Sequence, residues 1–302
     1  MRSMVKNIIE KIAVKSLKNE ILENRCLQGR TLAELQRARG VVSRLSDVEF
    51  KVFSQWGDDG IIQYLIRNLD IPHRTFIEFG VETYVEANTR FLLINNNWSG
   101  MVIDGTPGNI DIIKSDSTYW RHDLQAEDAF ITTENINALL AKSAFPEELG
   151  ILSIDIDGND YYVWKSITAM KPIIVIAEYN SAFGNKNPYS TIYDPKFFRT
   201  HHHSSNLVYG SSLMSLCDLA TDKGYHFVGC NSAGNNAYFV RKDKIGPITV
   251  QTLESGYVES KFKESRNPDG SLSYLRGKER NSILNGHPIY NTRTNQIETI
   301  KL

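Results

Sequence analysis

Short apolar runs alternate with amphipathic stretches between about residues 51 and 245. The runs are Thr75-Phe76-Ile77-Glu78-Phe79-Gly80, Gly100-Met101-Val102-Ile103-Asp104, Gly150-Ile151-Leu152-Ser153-Ile154-Asp155 and the segment from Ile173 to Ala177. They are too short for helices, rich in β-branched and aromatic residues, and bounded by turn residues or acids, which predicts strands. Ala129-Phe130-Ile131-Thr132 predicts a weaker strand between the second and the fourth. Helical spacing predicts helices over Ile61–Leu69, Ala87–Asn95 and Thr133–Lys142, the last opening on Thr132 or Thr133 as a cap, and another from Tyr161. Apolar strands separated by helices imply a parallel sheet covered on both faces. His226-Phe227-Val228-Gly229-Cys230 and Asn236-Ala237-Tyr238-Phe239-Val240 predict a terminal antiparallel pair, so the fold class is α/β, Rossmann-like.

The flanks differ from this middle zone, and no internal repeat is present. Residues 1–50 are charged and poor in Gly and Pro, with Ile8, Ile9, Ile12, Val14 and Leu17 near helical spacing. They predict an N-terminal helical extension that packs on the domain or on a second copy of the chain. Residues 246–302 are polar, with Asn, Ser, Gly and Arg clusters, and predict an irregular extension. The expected division is therefore 1–50, 51–245 and 246–302.

Charge and cysteine content narrow the partners. A formal net charge of −1 argues against a nucleic-acid protein held by phosphate contacts, which needs an excess of Lys and Arg. No run approaches the ~18 apolar residues of a membrane span, and charges recur too often near the start for a signal-peptide core. Cys26, Cys217 and Cys230 are widely spaced and odd in number, which fits reduced thiols in a cytoplasmic protein and not a disulfide framework or a zinc site.

The chemistry gathers at strand ends. Glu78 lies inside the first strand, and Asp104, Asp155 and Glu178 end three others. In a parallel sheet the ligand binds beyond the carboxyl ends of the strands, so these acids share one rim. The GxGxxG of dinucleotide sites is absent. S-adenosylmethionine suits such a rim: Asp104 would accept its ribose hydroxyls, the backbone at Gly80 would approach the methionine part, and Glu78 would face the ammonium directly or through water. Glu82, in the same turn, and Asn88, just beyond it, complete the candidate cofactor set. Capping of strand ends is the competing reading of all of them.

Three further motifs carry candidate chemistry. Ser153-Ile154-Asp155-Ile156-Asp157-Gly158-Asn159-Asp160 holds three acids within six positions, enough for a divalent cation such as Mg2+, but no glutamate stands where an EF-hand loop would need it. Glu178-Tyr179-Asn180 places another acid where it binds substrate or joins Asp155 and Asp157 as a metal ligand. His201, His202 and His203 fit no zinc spacing, but one of them is a candidate general base beside Asp155. In Ser54-Gln55-Trp56-Gly57-Asp58-Asp59-Gly60, Asp58 or Asp59 is a candidate helix cap, and the glycines and Gln55 would let the loop fold over a ligand.

Taken together, Phe76–Gly80, Glu86–Arg90, Val102–Gly105, Asn135–Asn137, Ser153–Gly158 and Glu178–Asn180 resemble the FkbM-type and related bacterial S-adenosylmethionine-dependent methyltransferases. The resemblance runs from about Phe53 to Val240. It departs from the family's usual Asp-Val-Glu-Gly at Asp155-Ile156-Asp157-Gly158, and from its glycine-rich first motif at Gly80-Val81-Glu82. It implies a Rossmann-like methyltransferase sheet, cofactor contacts at Glu78, Gly80 and Asp104, and methylation of a hydroxyl on a sugar, a surface polysaccharide or a natural product. A non-catalytic binding module with this fold and a metal-dependent hydrolase or hydroxylase using the acidic rim stand as alternatives.

Overall fold

The computed structural model describes residues 2–302, with side chains from residue 16 onward except Lys18. Its strands are β1 (Thr75–Phe79), β2 (Ser99–Asp104), β3 (Leu124–Asp128), β4 (Ile151–Ile154), β5 (Ile174–Glu178), β6 (Tyr189–Ser190), β7 (Tyr225–Cys230), β8 (Asn236–Arg241), β9 (Pro288–Asn291) and β10 (Gln296–Thr299). Seven form one sheet in the order β3-β2-β1-β4-β5-β8-β7. Only β8 runs against its neighbours β5 and β7; the other pairings are parallel. This is the Rossmann-like sheet with an antiparallel terminal pair that the apolar runs predict. Strand order reverses between β1 and β4, so their carboxyl ends open a crevice.

Alternating side chains on the central strands feed two cores, one on each face. Ile77, Phe79, Leu152 and Val175 pack with Trp164 and Leu216 from the helices Asp160–Ser166 and Leu213–Asp222. Phe76, Ile151, Ile174 and Ile176 pack with Ile61 and Leu65 from the helix Asp58–Asn68. Phe239 packs at a tilt on Trp164, ring centroids 5.1 Å apart; burying a phenylalanine of this kind contributes up to about 3 kcal/mol.

The third strand lies five residues earlier than its apolar run suggests. Leu124–Asp128 is an edge strand whose residues alternate between buried and partly exposed, so it lacks the continuous apolar signature of a central strand. Ala129–Thr132 instead leads away from it toward the crevice. The helix expected over Ala87–Asn95 starts only at Arg90; the N–H groups of Asn88 and Thr89 before it are bound by the Glu78 carboxylate. The helix expected over Thr133–Lys142 runs from Ile136 to Ala141. Neither threonine caps it; Asn135 Oδ1 accepts from the Thr132 N–H.

The N-terminal zone forms a helix over Arg2–Arg37. The side chains of Ile8, Ile9, Ile12 and Val14 lie outside the described residues, and Leu17 is exposed. Contact with the domain runs through Leu22, Cys26 and Ala33, which pack on Phe50, Val52, Phe53 and Phe91. Gln36 extends this stripe by donating to the carbonyls of Val48 and Gly60. Among the described residues, no helix is long and apolar enough to cross a membrane.

The segment 246–302, expected as irregular, contains an ordered hairpin. β9 pairs with β10 and also with β6, far earlier in the chain. Leu284, Ile289 and Ile300 bury against Phe183, Tyr189, Leu207 and Val208. The C-terminal segment thus braces the insertion between β5 and the helix Leu213–Asp222.

Candidate functional site

A cavity of about 600 Å³ opens beyond the carboxyl ends of β1, β2, β4 and β5, a size usual for small-molecule sites. Glu78, Gly80, Glu82, Asn88, Asp104, Asp155, Asp157 and Glu178 all border it, so the cavity brings together eight of the expected site residues.

Gly80 sits at the reversal point with φ of +66°. A Cβ there would lie 1.7 Å from the carbonyl oxygen of Asp155. Only glycine both adopts this backbone and lets the two strand ends approach so closely. The close approach forms the cavity floor.

Glu78 is 4% exposed. Its carboxylate accepts from the N–H groups of Asn88 (2.8 Å) and Thr89 (3.0 Å) and from the Thr89 hydroxyl. Both oxygens hold the entry to the helix Arg90–Asn96, and of about four acceptor sites on the carboxylate one remains open toward the cavity that Glu78 borders. Burial pushes its pKa up to about 6. Asn88 in turn donates to Ser153 Oγ on β4, tying this loop to the next strand.

Asp104 ends β2 and is 5% exposed. It accepts from the Glu82 N–H (2.7 Å), the Thr106 N–H (2.8 Å) and Asn109 Nδ2 (3.0 Å). A carboxylate offers about four acceptor sites; one remains open, and a second opens if the Asn109 side chain turns away. Glu82 keeps an exposed side chain at the rim.

The acids after β4 and β5 form a cluster. One oxygen from each of Asp155, Asp157 and Glu178 lies within 4.8 Å of the others. Desolvation first, then the charges of Asp157 and Asp160, pushes the Asp155 pKa well above the usual carboxylate range. Desolvation and the charge of Asp155 do the same to Glu178. Asp157 holds a left-handed φ of 56°, an uncommon conformation for a non-glycine residue and one that recurs at functional sites. Asp160 stands apart: its carboxylate accepts from the N–H groups of Ile156 and Gly158 (both 2.9 Å) and shapes the turn.

Spacing along the chain gave no signal for Arg199. Its guanidinium donates to Asp157 Oδ1 (2.7 Å) and Glu264 Oε2 (3.0 Å), its Nε donates to the Asn206 carbonyl, and it lies 3.8 Å from the Tyr209 ring centroid. Asn159, Glu264 and the stacked pair Phe130–Phe198, with centroids 5.6 Å apart, also border the cavity. These residues come from segments far apart in sequence and meet only in the folded chain.

The three histidines fall outside this group. The wall uses Phe197, Phe198, Arg199 and Thr200 but not His201, His202 or His203. The short helix Arg199–His202 carries them away from the opening. His201 packs on Phe198, His202 on Phe197, and His203 bonds Ser205 Oγ; His202 and His203 also meet His287 edge to face. The expectation that one of them stands at the site beside Asp155 therefore does not hold: none of the three borders the cavity.

Asp58 and Asp59 also differ from expectation. Both lie inside the first turn of the helix Asp58–Asn68, where negative charge is favoured. Asp59 Oδ2 accepts from the N–H groups of Val52, Phe53 and Ser54 and from the Ser54 hydroxyl. Asp58 Oδ1 accepts from Asn231, Asn236 and Tyr238. The motif fastens its own loop to the sheet, and Gln55 reaches the cavity from it.

Neither a family model nor a curated protein matches the chain. Among solved structures it is similar to the N-terminal domain of EvdMO1 with SAH bound, at 11% identity and a TM-score of 0.41 over 74% of this chain and 94% of that one. It is similar to an O-methyltransferase family protein from Burkholderia thailandensis at 13% identity and a TM-score of 0.36, over 68% of this chain and 59% of that one. The O-methyltransferase from Bacillus cereus in complex with SAH gives 11% identity and a TM-score of 0.39 over 70% of this chain and 88% of that one.

Proposed function

We propose that this chain is an S-adenosylmethionine-dependent O-methyltransferase of the FkbM type, acting on a hydroxyl of a sugar, a surface polysaccharide or a natural product. The observation that carries the reading is the cavity at the strand-order reversal, where the Gly80 backbone lies against Asp155 and Asp104 closes the rim. S-adenosylmethionine would supply the methyl group. Asp104 would accept a ribose hydroxyl on its open site. The turn Gly80–Glu82 would carry the methionine part, with Glu78 and Asn88 fixing that turn from behind and Glu82 at its edge. Asp155 would take the proton of the acceptor hydroxyl, a role suited by the upward pKa shift that burial and the neighbouring acids cause. Catalysis would otherwise be positioning of the hydroxyl.

Titration calorimetry tests the reading. S-adenosylmethionine binds the wild-type chain, and Asp104→Ala weakens it about tenfold or more, the worth of a hydrogen bond to a charged group. A folded protein with no detectable binding defeats the proposal and favours a non-catalytic module.

The 4.8 Å cluster favours a second reading of the same wall, in which Asp155, Asp157 and Glu178 hold a divalent cation such as Mg2+ that lowers the pKa of the acceptor hydroxyl. Full activity in excess chelator would remove the metal. Three free thiols support the cytoplasm as the compartment, and exposed Ile21, Leu27 and Leu35 on the N-terminal helix support a homo-oligomer through that zone.

A further inference from the structure

The cavity wall at the ends of β4 and β5 is short of hydrogen-bond donors. Glu178 Oε2 and Asn159 Oδ1 have no partner, although their residues are only 8% and 3% exposed, and both residues border the cavity. Buried acceptors without a donor are rare in native proteins, and each one calls for an explanation. Other acids have donors: Glu78 and Asp104 on the rim accept three hydrogen bonds each, and Asp160 behind it accepts two.

Three of the five N–H donors of Arg199 and one of the two on the Asn159 amide go to other acceptors. Arg199 gives its protons to Asp157, Glu264 and the Asn206 carbonyl. Asn159 Nδ2 gives to the Asp194 carbonyl. Four carboxylates, from Asp155, Asp157, Glu178 and Glu264, therefore face one guanidinium. Asp155, Glu178 and Asn159 all border the cavity, and Glu178 Oε2 and the amide oxygen of Asn159 stand without a donor.

We propose that the acceptor molecule carries a protonated amine beside the hydroxyl to be methylated, and that Asp155, Glu178 and Asn159 bind that ammonium. The inference rests on the reading above that the cavity takes an acceptor, and it narrows the acceptor to an amino alcohol or amino sugar. An ammonium has three donors and no acceptor, which matches three acceptors that lack donors. It also suits the charge. Arg199 already neutralises Asp157 at 2.7 Å, and a dication beside that guanidinium meets twice the repulsion of a monocation. Mg2+ in addition demands near-octahedral geometry and sheds water reluctantly, whereas an ammonium tolerates an uneven set of oxygens.

The test compares ethanolamine with ethylene glycol, which differ by an ammonium in place of a hydroxyl. Each is titrated into the full chain, with and without saturating S-adenosylhomocysteine, at constant ionic strength. Ethanolamine is expected to bind about tenfold tighter or more, as charge-assisted hydrogen bonds predict. Glu178→Gln is expected to erase the preference while keeping S-adenosylhomocysteine affinity. If that variant does not fold, the wild-type comparison decides alone. Equal binding of the two probes overturns the proposal, as does saturable binding of MgCl2 that displaces ethanolamine. An intact amine preference without S-adenosylhomocysteine binding would defeat the methyl-transfer reading and leave the amine site standing.

Discussion

Gly80→Ala is expected to abolish measurable S-adenosylmethionine binding and to destabilise the chain by about 3 kcal/mol, at the upper end for a single substitution. Two effects add. Alanine at φ of +66° costs about 1–2 kcal/mol. Its Cβ would also meet the Asp155 carbonyl oxygen at 1.7 Å, an overlap that no rotamer relieves because both atoms belong to adjacent strand ends. The chain can respond only by separating β1 from β4, which opens the cavity floor. Gly224→Ala is the control: it has a φ of +86° and nothing within 4 Å of an added Cβ. It should show the backbone cost alone, with cofactor affinity unchanged. Urea unfolding midpoints and calorimetry on both variants decide the matter, and equal losses in the two would remove the strand contact as the cause.

Asp155→Asn should do the opposite to stability while removing activity. The loss of a general base lowers kcat by about a hundred- to ten-thousand-fold. The folded-state pKa of Asp155 is raised by desolvation and by its acidic neighbours. A raised carboxyl is favourable while protonated, below its unfolded value near 4, and that contribution is lost as pH rises through the folded pKa. Asparagine has no such loss. The variant should therefore melt at a higher temperature than the wild type at pH 8, with the gap closing toward pH 4. Wild-type activity should rise with pH through the same raised pKa, since the base works only when deprotonated. A variant that melts lower at pH 8, or that keeps its kcat, would displace Asp155 from this role.

The parts legible in the sequence are those in which one strand carries its own evidence. The runs ending in Asp104, Asp155 and Glu178 announce central strands by continuous apolar character, and their last residues reach the rim because strand ends do so in a parallel sheet. The meeting of Asp155, Asp157 and Glu178 follows from β4 and β5 being neighbours. The edge strand Leu124–Asp128 was hidden because it has polar residues on its outer side. Arg199 and Glu264 were hidden for another reason: their positions depend on pairings between segments more than thirty residues apart, which no local period encodes. The histidine run shows the converse error. A chemically capable residue type was visible, but a single helical turn sends the side chains away from the cavity.

The pairing of β9 with β6 has a bearing on the order in which the chain comes into being. During synthesis the seven-stranded sheet is complete once β8 has left the ribosome. The insertion that carries Phe198 and Arg199 still lacks Leu284, Ile289 and Ile300, its later packing partners. A nascent chain halted before β9 would hold the rim for the cofactor but an unsupported wall for the acceptor. Domains assemble in the order they emerge, so under the proposed function competence to hold the methyl donor would precede competence to select what receives it.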